Sequence, residues 1–423
     1  MKISKNPKKS LTLIIFAAMM LSYAYVCMTK YCFSSAMVFI VEEGIMTNFQ
    51  TGLISSAFWL VYAVTQLFGG MIADRWHPER LITVGLLAAG VANVAIYFCY
   101  ENYILTLAIW MLNAFFQFGV WPSVFKMISS MYSGRALTNA MMVATLASPA
   151  GLMMSYAVAA IVPRWQDNFV VSFVGLFAAA VIWLITSHAS GDYIKSLNMT
   201  EKIKKNESND RVANVGIGKL IVASGLIFIF GLAFFRAVIE YVKGMVPSMI
   251  NESYSQVDPS LSTLMTLIPL FCGAAAPVLS NLISKKVENE MKVVSVIFAA
   301  VLPISLVTLF LGKVSYWWII TSMALVTFGA GASTFFITTL IATKFNKWGR
   351  GATVAGILNA FTAIGNVAAS AVMTGIADAF SWKWSLVTMV GLIVLMLVIA
   401  LIELPIWKQF KRNYYYEREN TNE

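Results

Sequence analysis

Apolar residues along this chain fall in runs of about twenty or more, separated by short polar connectors. A run of that length crosses ~30 Å of hydrocarbon as a helix. The pattern predicts twelve transmembrane helices, at 11–41, 49–73, 80–100, 102–130, 136–162, 168–188, 217–248, 258–284, 291–312, 314–343, 351–378 and 382–404. The interval 189–216 is the longest hydrophilic stretch between helices. It divides an N-terminal six-helix bundle (1–188) from a C-terminal one (217–404), and a short tail, 405–423, follows. Lys2, Lys5, Lys8 and Lys9 precede an apolar run that continues to Val41, so the first segment reads as an uncleaved helix and not as a signal peptide.

Composition agrees with this pattern. The 423 residues are 59% hydrophobic and only 12% charged, where a soluble domain carries roughly twice that charge. A soluble enzyme is therefore not expected. The net charge of +10 does not point to nucleic acid, because the cations are spread over the connectors. Their distribution sets the orientation instead. With the N-terminus inside, the outer loops hold only Arg164, Lys313 and Lys383. Both termini and 189–216 are then cytoplasmic, as in a multi-pass protein of the bacterial inner membrane. Cys27, Cys32, Cys99 and Cys272 all lie within apolar runs and have no metal-ligand spacing. They read as packing residues, and no metal or cofactor is expected.

An ionisable side chain inside the bilayer costs ~2.5–3.5 kcal/mol even on a lenient scale, so each one needs a partner or a purpose. The set is short: Lys30, Lys126, Arg236, Glu240 and Lys243. It sums to a positive charge, which favours an anionic solute. Arg236, Glu240 and Lys243 are spaced to share one helix face, with the glutamate neutralising one cation. That spacing fits either a self-contained ion cluster or a gate or proton site at Glu240. Lys30 has no acid within a turn and is the leading ligand for an anion. Lys126 would add positive potential near the cytoplasmic side. Tyr23 and Tyr62 can wall a site, and Trp121-Pro122 introduces a kink. Asp378 and Glu403 lie near helix ends, where an acid needs no special role.

The two halves echo each other. Gly134-Arg135 opens the fifth helix and Gly349-Arg350 the eleventh, while Lys30 and Arg236 stand about nineteen residues into the first and seventh. Between the second and third helices stands Gly70-Met71-Ile72-Ala73-Asp74-Arg75-Trp76-His77-Pro78-Glu79-Arg80. This six-plus-six plan with its inner loop resembles the major facilitator superfamily. The resemblance implies two pseudo-symmetric bundles, alternating access, and a conformational latch at Asp74 and Arg75.

Within that superfamily, Phe115-Phe116-Gln117-Phe118-Gly119-Val120-Trp121-Pro122-Ser123-Val124-Phe125-Lys126 resembles the Trp-Phe-Gln-Gly-x-Gly-Trp-Pro-Pro-x-x-Arg segment of organophosphate:phosphate antiporters. Lys30-Tyr31-Cys32-Phe33-Ser34-Ser35-Ala36-Met37 similarly parallels their Arg-Lys-Asn-Phe-Ala-Leu-Ala-Met. The resemblance implies that Tyr23 and Tyr62 fall on family tyrosines. It also implies that Lys30 and Lys126 replace arginines, Gln66 replaces a lysine, and Ser148 stands where the family has a histidine. The family's second phosphate-binding arginine matches Arg236, although counting from Pro247 places it nearer Ile239.

Arginine grips phosphate with a two-pronged fork, whereas lysine is a point charge. A carboxylate is thus as good a substrate as a phosphate ester. The sequence supports a secondary transporter of a small organic anion, working as a monomer in contact with lipid. Two alternatives stand beside it: a proton-coupled symporter of an organic acid or neutral solute, and a membrane sensor that binds its ligand without moving it.

Overall fold

Where the sequence runs apolar the backbone is helical, since within hydrocarbon a helix satisfies its own N–H and C=O groups. The structure, a computed structural model, describes residues 7–132, 134–194, 217–284, 287–311, 314–345 and 351–416. Side chains at 7–9, 67–75, 134–135, 138, 217, 311, 351–353 and 414–416 are not part of that description. The side-chain expectations for Asp74 and Arg75, and those for 195–216, therefore lie outside the described residues.

The first helices are α1 (Pro7–Glu42), α2 (Asn48–Arg75), α3 (Pro78–Cys99), α4 (Tyr103–Phe116), α5 (Val120–Met131), α6 (Gly134–Ile161) and α7 (Asp167–Ala189). There follow α8 (Ile217–Ser224), α9 (Leu226–Tyr241), α10 (Val246–Ser253), α11 (Pro259–Met265), α12 (Leu267–Ser284), α13 (Glu290–Leu311), α14 (Tyr316–Thr334), α15 (Ile341–Lys344), α16 (Gly351–Ala379) and α17 (Trp382–Phe410). Among the described residues there is no strand. Among the described residues ten helices are long and apolar enough to cross a membrane, counting α4–α5, α11–α12 and α14–α15 as one span each. The bent pair α8–α9 makes eleven, and α2, 28 residues long, makes the array consistent with twelve.

Two of the breaks have a readable cause. Pro122 cannot donate to the carbonyl four residues back, at Phe118. The helix is interrupted there, at Gln117–Gly119, and Gln66 Nε2 supplies the missing donor to the Phe118 carbonyl at 3.2 Å. The expected kink in the fourth helix is thus a full break, repaired by a side chain. In the seventh helix, Gly225 adopts a φ of +66°, the left-handed region that favours glycine. The chain bends there by 77°.

Contacts divide the chain into two compact units, residues 1–46 with 57–211, and residues 47–56 with 212–423. The core of the first includes Met19, Val26, Leu86, Val124, Ala144 and Trp183, and that of the second Leu232, Phe298, Met323, Phe336, Leu358 and Met389. Within the second unit, Asp378 Oδ2 accepts the N–H of Phe49 at 2.6 Å, and Ser56 Oγ hydrogen-bonds with Ser370 Oγ at 2.6 Å.

Glycine permits a close helix crossing in each unit. A Cβ on Gly151 of α6 would fall within 2.7 Å of backbone atoms of Ala24, Cys27 and Met28 in α1, and one on Gly365 of α16 would meet Phe234 and Ala237 in α9. Small residues let backbones approach closely where no hydrophobic drive separates helix from lipid. Gly151→Ala is therefore expected to cost about 2 kcal/mol, as overpacking does, and to lower the melting temperature of the purified protein. Gly231→Ala, where nothing lies within 4 Å, is the control and is expected to leave it unchanged.

Candidate functional site

In the first unit, α1 carries Tyr23 and Lys30 two turns apart, on one face. Lys30 is only 6% exposed. Its Nζ donates to the Tyr62 hydroxyl at 2.9 Å and stands 4.3 Å from the Tyr62 ring centroid and 5.7 Å from that of Tyr23. Such contacts attract a cation through the ring quadrupole but do not neutralise it. Among the described residues, Lys30 forms no ion pair. Tyr23 packs on Trp121 with ring centroids 5.0 Å apart, and Tyr62 stacks on Phe58 at 6.2 Å. The Cys27 thiol, between Tyr23 and Lys30 on α1, lies close to the Tyr23 and Ser148 side chains.

Four of the expected residues, Lys30, Tyr23, Tyr62 and Trp121, thus form one aromatic-lined group, and Ser148 lies near it beside Cys27. Gln66 is committed to the Phe118 carbonyl. Lys126 is half-buried on α5.

In the second unit, Arg236 of α9 is 2% exposed. Its Nη1 donates to Glu240 and, at 2.7 Å, to Thr334 Oγ1, and its Nη2 reaches Thr362 Oγ1 at 3.3 Å. Arg236 Nε has no hydrogen-bond partner. Lys243, in the 3₁₀ turn Val242–Met245, donates to the other Glu240 oxygen at 2.8 Å. Both oxygens of Glu240 are therefore occupied by cationic donors, and the trio keeps a net positive charge. Ile239, the alternative family position, is buried in the hydrophobic core.

Three groups carry more than the sequence suggested. Thr334 and Thr362 hold Arg236 from α14 and α16. Glu290 is buried, accepting from the Trp407 indole at 2.7 Å and pairing with Lys411 at 3.2 Å and Lys344 at 3.8 Å. Glu403, at a helix end in the sequence, is fully buried, and among the described residues neither oxygen is hydrogen-bonded. An acid inside the run Leu401-Ile402-Glu403-Leu404-Pro405 was the available signal for it. Among the described residues, no three His, Cys, Asp or Glu side chains come together as a metal site would require.

A family model described as Major Facilitator Superfamily matches residues 19–356. A stretch of 119 residues is 31% identical to the membrane sensor protein UhpC of Salmonella typhimurium, over 28% of this chain and 27% of that protein. Another, of 120 residues, is 27% identical to a probable hexose phosphate transport protein of Chlamydia trachomatis, over 28% of this chain and 26% of that protein. The probable sulfoacetate transporter SauU of Cupriavidus necator is 37% identical over 81 residues, 19% of each chain. The matched stretches thus span about a quarter or less of these curated relatives. Among solved structures, a bacterial homologue of the human lysosomal transporter Spinster, inward-facing and occupied, has a TM-score of 0.75 at 13% identity, covering 96% of this chain and 99% of that one. A D-xylose-proton symporter has a TM-score of 0.72 at 12% identity, covering 95% and 98%. Likeness at such identity concerns the fold alone.

Proposed function

The chain belongs to the major facilitator superfamily of membrane transporters, and from that premise we propose that it carries a small organic oxyanion by alternating access. The observation that carries this reading is Lys30, a buried cation with a phenol for its hydrogen-bond partner and, among the described residues, no carboxylate paired with it. A buried charge without a counterion is costly, and a chain keeps one where a ligand completes it. The curated relatives named as transporters are named for hexose phosphate and sulfoacetate, both organic oxyanions. Phosphate esters, sulfonates and carboxylates are the classes a lysine point charge would accept.

Tyr23, Tyr62 and Trp121 wall the Lys30 side, with Ser148 one contact further. Lys126 contributes positive potential, and Gln66 keeps the α4–α5 break in shape. The second unit offers Arg236, which an anion engages by displacing Glu240, while Lys243 retains the released glutamate. This exchange of partners suits an antiporter, in which the site is never left empty of negative charge. Asp74 and Arg75 serve as the latch between conformations. The halves 1–188 and 217–404 act as the two moving bundles of a monomer in the inner membrane. Its termini and the 189–216 segment face the cytoplasm, as the distribution of lysine and arginine favours.

A melting-temperature screen of the purified protein tests this reading. Glucose 6-phosphate, sulfoacetate and a dicarboxylate are set against glucose and xylitol. Stabilisation by at least one oxyanion and none of the neutral solutes is expected, since a ligand at 100 times its Kd contributes about 2.7 kcal/mol. Stabilisation by neutral solutes alone would overturn it. The likeness to a membrane sensor favours a second reading, binding without transport. Proteoliposomes that bind the anion but never accumulate it would establish that one.

A further inference from the structure

Glu403 of α17 is fully buried, and among the described residues neither carboxyl oxygen has a hydrogen-bond partner. Its carboxyl lies directly on Gly225, and a Cβ at that glycine would collide with it. Gly225 is the N-cap of α9 and the point of the 77° bend, and no side chain caps the helix there. An acid with no donor thus faces a helix start whose first N–H groups, those of Leu226 and Ile227, have no acceptor within the helix.

Charges on the packed elements do not account for it. On α8, Lys219 is exposed. From Gly225 onward α9 carries no charge before Arg236, which is bonded to Glu240, itself shared with Lys243. On α13, Lys292 is exposed and Glu290 is held by Trp407, Lys411 and Lys344. On α16, Asp378 takes the Phe49 N–H. On α17 itself, Lys383 stands at the opposite end, Lys408 is exposed and Lys411 is taken by Glu290. None of these forms a hydrogen bond or ion pair with Glu403 among the described residues. Among the described residues two glutamates thus lie buried in this region in opposite circumstances, Glu290 with two donors and a second lysine paired to it, and Glu403 with none.

We propose that Glu403 is a proton-binding site of the transport cycle, whose gain and loss of a proton acts on the hinge at Gly225. Its role in transport rests on the function proposed above; the site itself does not. In the arrangement seen here the carboxyl is buried and, among the described residues, accepts no hydrogen bond, an environment that accepts the neutral acid and not the ion. When the proton leaves to water, the carboxylate turns onto the N–H groups of Leu226 and Ile227. Those groups and the positive end of the α9 dipole then stabilise it. The protonated acid leaves the hinge uncapped and the deprotonated acid caps it. The helix it acts on carries Arg236 and Glu240, which links the proton to the anion-binding cluster.

The test needs no solute. Purified protein is titrated with base while infrared difference spectra follow the carbonyl stretch of protonated carboxylic acids. Amide exchange of 219–230 is measured at both ends of the titration. In the wild type, one carboxylic-acid band should disappear on titration, while the amides of Leu226 and Ile227 slow about fivefold beyond the intrinsic pH effect, the size of an N-cap. In Glu403→Gln both changes should be absent. Should that variant fail to fold, Glu403→Asp decides: its band should shift in position while the slowing is lost, because the shorter side chain falls short of the helix start. A wild-type band that persists in Glu403→Gln, or stays unshifted in Glu403→Asp, overturns the proposal. Anion stabilisation without the band removes the proton site alone. The band without anion stabilisation removes the substrate reading and leaves the proton site standing.

Discussion

Lys30→Gln is expected to lower uptake of the transported anion into proteoliposomes by about 10- to 100-fold, the worth of a charge-assisted hydrogen bond of ~1.5–3 kcal/mol. It should do so without loss of the folded protein. The stability half of this prediction separates a ligand-binding cation from a structural one. Lys30 is 6% exposed and its hydrogen-bond partner is a neutral phenol. Replacing an unpaired buried charge by a neutral group of similar length removes a desolvation cost, so the melting temperature should hold or rise. Lys30→Arg keeps the charge and adds a fork, and should keep uptake while shifting preference towards phosphate esters over carboxylates. A Lys30→Gln protein that melts lower yet transports normally would make Lys30 a packing residue.

The second large effect is expected at Glu240. In Glu240→Gln, Arg236 and Lys243 lose the carboxylate they share. Breaking a buried pair from one side costs ~3–5 kcal/mol. Because the Glu240 side chain is 26% exposed and that of Lys243 14%, about 2 kcal/mol is the discounted expectation. The diagnostic feature is rescue. If the anion takes the place of Glu240 on Arg236, a saturating oxyanion should raise the melting temperature of the variant more than that of the wild type. A self-contained ion cluster would be destabilised equally with and without the anion.

The features legible in the sequence were those that depend on neighbours along the chain. The apolar runs marked the helices, because twenty residues of hydrocarbon-compatible sequence have few other structures open to them. Arg236, Glu240 and Lys243 could be placed on one face, because three- and four-residue spacings are contacts within a helix. Lys30 stood out because no acid lay within a turn of it.

What escaped depended on partners far along the chain. Thr334 and Thr362 reach Arg236 from 98 and 126 residues away. Gln66 appeared as a replaced lysine, and its bond to the carbonyl freed by Pro122 becomes visible only once α2 lies beside the α4–α5 break. Gly225 is one of 26 glycines, and nothing in its neighbours announces a positive φ. Glu403 and Glu290 are the same residue type near the ends of apolar runs. Only folding gives one of them two lysines and an indole and the other none.

The most direct measurement is an experimental structure with a heavy-atom-labelled oxyanion bound, chosen from the stabilising compounds of the melting screen. The account predicts an anion oxygen at hydrogen-bond distance from Lys30 Nζ, about 2.7–3.2 Å, with Tyr23, Tyr62 and Trp121 around it. Lys30 still bonded to Tyr62 alone, with the anion on other residues, would contradict it.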